Sequence, residues 1–325
     1  LTFMHQFPSP SFMELVATLS GHTDRVWQAE WDPNGQILAT ASGDKTAKIW
    51  TSDASLQSSS WTCKETLEGE HSKSVRSVAW SRSGEHLATA SFDGTSIIWR
   101  KLPTGFDNKL CIEGHDSEVK SVSWSVDDQY LATCGRDKTV WVWETDIDYE
   151  YETAGVLSKH TQDVKMVKWH DSLLMFASAS YDDTVIVWMS DGADDWIALD
   201  VLSGHESTVW AVDWFENNLA SCSDDCTVKL WRKQDTRFLP MGTLSGHQSR
   251  TIYSVNWSPD GQLLASASAD NSICIYKARE SGYELVWKQE EAHAQDVNSV
   301  SFHPTEPLIA SSSDDLTTKL WRYSV

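Results

Sequence analysis

Hydrophobic positions along the chain come in short runs of period two, broken by turns rich in Gly, Asn and Asp, and no window carries a long apolar stripe at helical spacing. The runs recur in a fixed order. An apolar strand ends in an aromatic at Trp31, Trp80, Trp124, Trp169, Trp214, Trp257 and Phe302, and a short turn leads into a strand of small residues such as ILATAS or LASCS. A tight turn then carries Asp44, Asp93, Asp137, Asp182, Asp225, Asp270 and Asp315, and six residues after each comes Trp50, Trp99, Trp143, Trp188, Trp231, Tyr276 and Trp321. Alternation of this kind predicts strands throughout.

A histidine opens each unit, at His22, His71, His115, His160, His205, His247 and His293, with separations of 49, 44, 45, 45, 42 and 46 residues. Four residues before each turn Asp stands a hydroxyl: Thr40, Thr89, Thr133, Ser178, Ser221, Ser266 and Ser311. Complete occupancy marks that column as structurally required. Two residues before the Asp, a serine column fails once, at Gly135.

Seven units of about 45 residues, each reading as four short strands, indicate blades arranged radially. In this the chain resembles the WD40 family over about residues 14–325. The resemblance implies an all-β, seven-bladed WD40 β-propeller of four-stranded antiparallel blades, in which His, Ser/Thr, Asp and Trp form a buried hydrogen-bonded chain. A buried imidazole and carboxylate are costly unless each finds a partner, which agrees with that role. Only RYSV follows Trp321, so the seventh unit lacks its outer strand, and MELVATLS from Met13 to Ser20 is the spare one. That N-terminal strand is expected to join the last blade and close the ring, making residues 13–325 a single propeller preceded by a flexible extension over 1–12, with Met13 a candidate natural start.

Composition narrows the chemistry. Eighteen tryptophans support the all-β reading, and 47 acidic against 26 basic residues give a formal charge of −21, which disfavours nucleic acid and anionic membrane as partners. No run approaches eighteen apolar residues, and the first dozen lack the pattern of a signal peptide. The six cysteines, at 63, 111, 134, 222, 226 and 274, show neither CxxC nor zinc-ligand spacing and read as reduced thiols of an intracellular protein. No metal or cofactor is expected, and no phosphate-binding glycine motif is present. Ser, His and Asp occur together, but a constellation repeated seven times is structure rather than seven hydrolytic triads, so no catalytic residue is assigned. The acidic segments ETDIDYEYE and SDGADDW read as solvated connections to outer strands, and TSDASLQSSS as a mobile loop.

Two columns vary from unit to unit where structural positions do not. One, just before each turn Asp, reads Gly43, Phe92, Arg136, Tyr181, Asp224, Ala269 and Asp314; the other, early in each innermost strand, reads Trp27, Arg76, Lys120, Lys165, Trp210, Tyr253 and Asn298. Both should line the face around the central channel. Trp27, Trp210, Tyr253, Phe92 and Tyr181, taken as exposed, are anchors of the kind enriched at interfaces. Arg76, Lys120, Arg136 and Lys165 make a positive sector suited to an acidic loop or a free C-terminal carboxylate.

The texts LATCGRDKTVWVWETD, KHTQDVKMVKWH, ASASYDDTVIVW, GHESTVWAVDW and LASCSDDCTVKLWR resemble the WD40 subunits of the cytosolic iron-sulfur protein assembly targeting complex. That resemblance implies a non-catalytic adaptor, monomeric outside its complex. It would join a small targeting subunit and a large helical-repeat scaffold and help apo-proteins receive 4Fe-4S clusters in cytosol and nucleus, binding no cluster itself. Arg136 matches the exposed arginine of that subfamily's top face, while Gly135 departs from the serine usual before it. The alternatives are a substrate receptor of a ubiquitin ligase, for which no blade ends in Trp-Asp-x-Arg, and a chromatin-complex subunit, which would favour an acidic rather than basic channel mouth.

Overall fold

The small-residue strands are the key to the architecture, because each is buried on both faces, as Leu38–Ser42, His86–Ser91 and Met175–Ser180 are along their whole length. Alanine and serine there let neighbouring sheets approach closely. The computed structural model describes residues 12–324 apart from 53–55, 57, 146–149, 193–194, 248 and 281. Among the described residues 28 strands form seven separate four-stranded antiparallel sheets, six of them running outward from a central channel in chain order.

The innermost strands are Val26–Trp31, Val75–Trp80, Val119–Trp124, Val164–Trp169, Val209–Phe215, Ile252–Trp257 and Val297–Phe302, one for each of blades one to seven. The core lies between blades rather than within them. Between blades three and four, for instance, Ala132, Val140 and Val142 pack with Val164, Val167, Trp169 and Phe176. Indole N–H groups tie the innermost strands across the blade boundary, Trp80 to the Glu30 carbonyl at 3.3 Å, Trp124 to Ala79 at 3.1 Å and Trp214 to Lys168 at 3.0 Å.

The ring closes as expected. Met13–Ser20 pairs antiparallel with Thr317–Tyr323, from Met13 opposite Tyr323 to Ser20 opposite Thr317, and becomes the outer strand of blade seven. The extension expected over 1–12 lies outside the described residues except for Phe12, which stacks on Trp287 and Tyr323 at 6.1 and 6.5 Å. Of the serine-rich segment read as a loop, Thr51 and Ser52 continue the third strand Ala47–Ser52 and 53–55 and 57 lie outside the described residues. The two acidic segments do join third to fourth strands, with 146–149 and 193–194 outside the described residues.

Each histidine bridges a turn Asp and a second-strand hydroxyl. In blade three His115 Nδ1 is 2.7 Å from Asp137 and Nε2 is 2.9 Å from Thr133, whose Oγ1 also accepts the Trp143 indole N–H at 2.9 Å. The same bonds join His22, Thr40, Asp44 and Trp50; His71, Thr89, Asp93 and Trp99; and His160, Ser178, Asp182 and Trp188. They recur for His205, Ser221, Asp225 and Trp231, and for His293, Ser311, Asp315 and Trp321. Blade six keeps His247 between Asp270 and Ser266 but has the buried Tyr276 in place of the indole, and Lys288 adds an ion pair to Asp270 at 3.0 Å.

Burial by itself would raise the Asp137 carboxyl. Hydrogen bonds from His115 and Thr139, with the charge of His115, instead hold it down at about 2.

Candidate partner-binding surface

Every innermost strand carries a β-bulge at one equivalent place. Its register against the second strand slips at Trp27, Arg76, Lys120, Lys165, Trp210, Tyr253 and Asn298. A bulge leaves its extra residue unpaired and re-aims the side chain. One of the two variable columns is thus the bulge residue of each blade, gathered at one mouth of the channel.

The other column sits one step outward. The backbone N–H of each such residue donates back across its blade, Phe92 to the Ser74 carbonyl at 3.0 Å, Arg136 to Glu118 at 2.9 Å and Tyr181 to Asp163 at 2.9 Å. In blade three this approach is especially close. A Cβ on Gly135 would stand 2.5 Å from the Glu118 carbonyl, so the glycine that breaks the serine column lets the Glu118 backbone draw in.

The nine residues singled out from the sequence divide between two adjoining concavities. An open groove of about 360 Å³ over blades two to four is lined by Phe92, Lys120, Arg136, Lys165 and Tyr181 together with Glu118 and Asp163. The channel mouth gathers Trp27, Arg76, Trp210 and Tyr253 and shares Lys120 and Lys165 with the groove.

Two expectations need correction. Tyr181, 54% exposed, is the one fully exposed aromatic of the five; Trp27, Phe92, Trp210 and Tyr253 are half-buried because they pack on one another and on cations. Trp27 meets Phe92 at 6.2 Å, and Trp210 meets Tyr253 edge-on at 5.1 Å while donating its indole N–H to Asp224 at 2.8 Å. The positive sector, in turn, is partly neutralised. Arg136 Nη1 donates to Glu118 Oε1 at 3.0 Å, and Lys120 Nζ donates to Asp163 of the next blade.

Glu118 and Asp163 were missed in the sequence because acidic residues before a strand read as solvated surface. The signal that could have found them is position: each stands two residues before a bulge lysine. Ser117, through its hydroxyl, and then backbone donors and Arg136 hold the Glu118 carboxyl down to about 2. Lys165 lies between the Tyr181 and Trp210 rings at 5.0 and 4.8 Å, and burial followed by the charge of Lys120 pushes it down to about 8. Arg136 remains 61% exposed.

Below the mouth the channel narrows onto Glu30, Lys168 and Asp213, from blades one, four and five. Burial raises Asp213 to about 7 even though Lys168 lies near and the Trp257 N–H and the Asn256 amide donate to it at 2.8 and 3.0 Å. Among the described residues no group of three or more His, Cys, Asp or Glu is arranged to hold a metal ion, and no helix is long and apolar enough to cross a membrane.

Comparison with known proteins agrees with this architecture. The family described as WD domain, G-beta repeat, matches seven times, over residues 13–51, 61–100, 107–144, 151–189, 196–232, 238–277 and 285–322. Each match opens on an outer strand and ends on a third strand, so the sequence repeat is offset from the blade by one strand, as the ring closure requires. The chain is 46% identical over 334 residues to "Probable cytosolic iron-sulfur protein assembly protein Ciao1" of Aedes aegypti, covering 96% of this chain and 98% of that one. It is 45% identical to "Probable cytosolic iron-sulfur protein assembly protein CIAO1 homolog" of Chlamydomonas reinhardtii, over 96% and 99% of the two chains. To "Protein CIA1" of Arabidopsis thaliana it is 43% identical, over 94% and 95%.

Proposed function

The chain belongs to the WD40 repeat family and, within it, to the cytosolic iron-sulfur protein assembly proteins, and from that premise we propose that it is a docking adaptor of this machinery. It works in the cytosol, and the proposal extends this to the nucleus. Its role is late and non-catalytic: it holds a small targeting subunit and a large helical-repeat scaffold together with apo-proteins that are to receive clusters. The cluster is cargo of the assembly and not a resident of this chain.

The observation that carries the reading is the groove of blades two to four. In a chain of net charge −21, Arg136 stands exposed beside Tyr181 and Phe92, with Lys120 and Lys165 at its floor, and a single surface thus offers a planar donor fork, aromatic walls and positive charge. An acidic segment or a free C-terminal carboxylate of a client is the chemistry it fits. The absence of catalysis is supported by the Ser/His/Asp sets themselves: Ser178, Ser221, Ser266 and Ser311 are completely buried, out of reach of any substrate.

Affinity purification from cell extract tests this directly. Arg136→Glu should keep the wild-type melting temperature and recover markedly less of the targeting subunits or clients. Recovery of the same iron-sulfur partners in the same amounts would sink the assignment of this groove.

A further inference from the structure

Arg76 is a channel-mouth cation that pairs with no carboxylate among the described residues. None of the ion pairs found among the described residues includes it, and its guanidinium lies instead over the Trp27 ring at 5.0 Å. A π face compensates part of the charge but consumes none of the five N–H donors. Lys165 is held in the same way between two rings, with Asp163 no nearer than 4.0 Å. The three bulge cations Arg76, Lys120 and Lys165 occupy consecutive blades, and among the described residues Asp163 is the one carboxylate in an ion pair with any of them; deeper in the same cavity Lys168 stands with Glu30 and Asp213, so the excess of two positive charges belongs to the mouth itself.

The opposite arc of the mouth is already satisfied internally. Asp314 takes Arg25 at 3.3 Å and the Asn298 amide at 2.8 Å, Asp224 takes the Trp210 indole, and Asp296 accepts from the Tyr253 hydroxyl at 3.4 Å. Trp27 and Trp210 flank the cationic arc and set its width. The cavity between them has a volume of about 80 Å³, room for several waters but not for a folded element of a partner. Burial holds Arg76 down to about 10, a cost that an anion in the mouth would relieve.

We infer that the channel mouth is a separate oxyanion site, built from Arg76, Lys120 and Lys165 between the Trp27 and Trp210 rings, for a small anion of two charges such as inorganic phosphate. A single carboxylate leaves half of the excess charge unmet. A dianion with several acceptor oxygens meets it and engages the Arg76 fork bidentately. The site stands whether or not the outer groove docks clients, because it shares two lysines with the groove but not Arg136.

The test is a titration of the full chain with inorganic phosphate at pH 7.5 and constant ionic strength, read by thermal melting, with chloride and acetate as parallel arms. Phosphate should raise the melting temperature saturably where chloride and acetate do not. Arg76→Gln should move the midpoint at least tenfold to higher phosphate. Arg232→Gln, an exposed arginine on the third strand of blade five, should leave the midpoint unchanged. Isothermal titration of the unsubstituted chain reads the same site should Arg76→Gln fold poorly. Equal shifts in phosphate and chloride, a wild-type midpoint in Arg76→Gln, or no saturable heat would overturn the inference, whereas a negative pulldown with Arg136→Glu would bear only on the groove.

Discussion

Arg136 and Glu118 are tied twice: the guanidinium donates to the carboxylate at 3.0 Å, and the Arg136 backbone N–H donates to the Glu118 carbonyl at 2.9 Å. The backbone bond sets where the arginine stands, while the side-chain bond occupies part of its fork. A partner's carboxylate therefore competes with Glu118 for Arg136.

Glu118→Gln removes the competitor and keeps the backbone bond. Acidic-partner binding should tighten several-fold in a fluorescence polarisation assay. Stability should change by less than about 1 kcal/mol, the scale of an exposed ion pair. Unchanged or weaker binding would mean that Glu118 belongs to the partner-facing surface itself.

Gly135→Ser installs the side chain found in the other blades, and its Cβ collides with the Glu118 carbonyl at 2.5 Å. The strand must shift and carry Glu118 away from Arg136. Both a lower melting temperature and weaker partner recovery are expected, and a variant as stable as wild type would show that the turn relaxes freely.

Asp137→Ala strips the His115 Nδ1 of its acceptor inside blade three and should cost about 1 to 3 kcal/mol in urea unfolding. Asp93→Ala in blade two provides the same measurement on an equivalent site. If either leaves the unfolding midpoint in place, the hydrogen-bonded chain contributes little.

The pH profile has two limbs of opposite sign. The turn carboxyls of Asp44, Asp93, Asp137, Asp182, Asp225 and Asp315, with Asp137 at about 2, titrate lower in the folded chain than in the unfolded one, so their stabilisation is present above the ordinary carboxylate range and is lost as pH falls through the folded values. Asp213, raised to about 7 by burial with Lys168 and Asp171 near it, does the reverse: between the ordinary value and 7 the unfolded chain binds fewer protons, and stability declines as pH rises. Asp213→Asn should flatten that neutral limb, gaining more over wild type at pH 8 than at pH 5 in urea melts. Parallel profiles for the two proteins would refute the assignment.

How far the sequence reveals the surface follows from what repeats. His115, Thr133, Asp137 and Trp143 interact within one blade and recur at fixed offsets, so periodicity alone picks them out. The bulge that re-aims Arg76 or Lys165 is equally regular, yet it leaves no residue signature, because any side chain can occupy a position defined by its missing backbone pairing. What periodicity could not show is contact between blades. Lys120 meets Asp163 and Arg76 meets Trp27 across a blade boundary, and the half-burial of Trp27 and Trp210 follows from such neighbours.

Deleting Met13–Ser20 leaves Thr317–Tyr323 paired only to Leu308–Ser313 and turns its outer side into an open sheet edge next to Leu320 and Trp321. The melting temperature should fall by roughly 10 °C or more, with loss of a single cooperative transition. A shortened chain that melts like wild type would show that three strands suffice for blade seven.

The same pairing imposes an order on biosynthesis. Ser20 lies opposite Thr317, so the propeller's first strand finds its seat only after nearly 300 further residues have been made. At roughly 5 to 20 residues per second, Met13–Ser20 spends about 15 seconds to a minute without its partner. Blades one to six can stack as they emerge, and the nascent chain is held as an open arc until its last strand returns to its first.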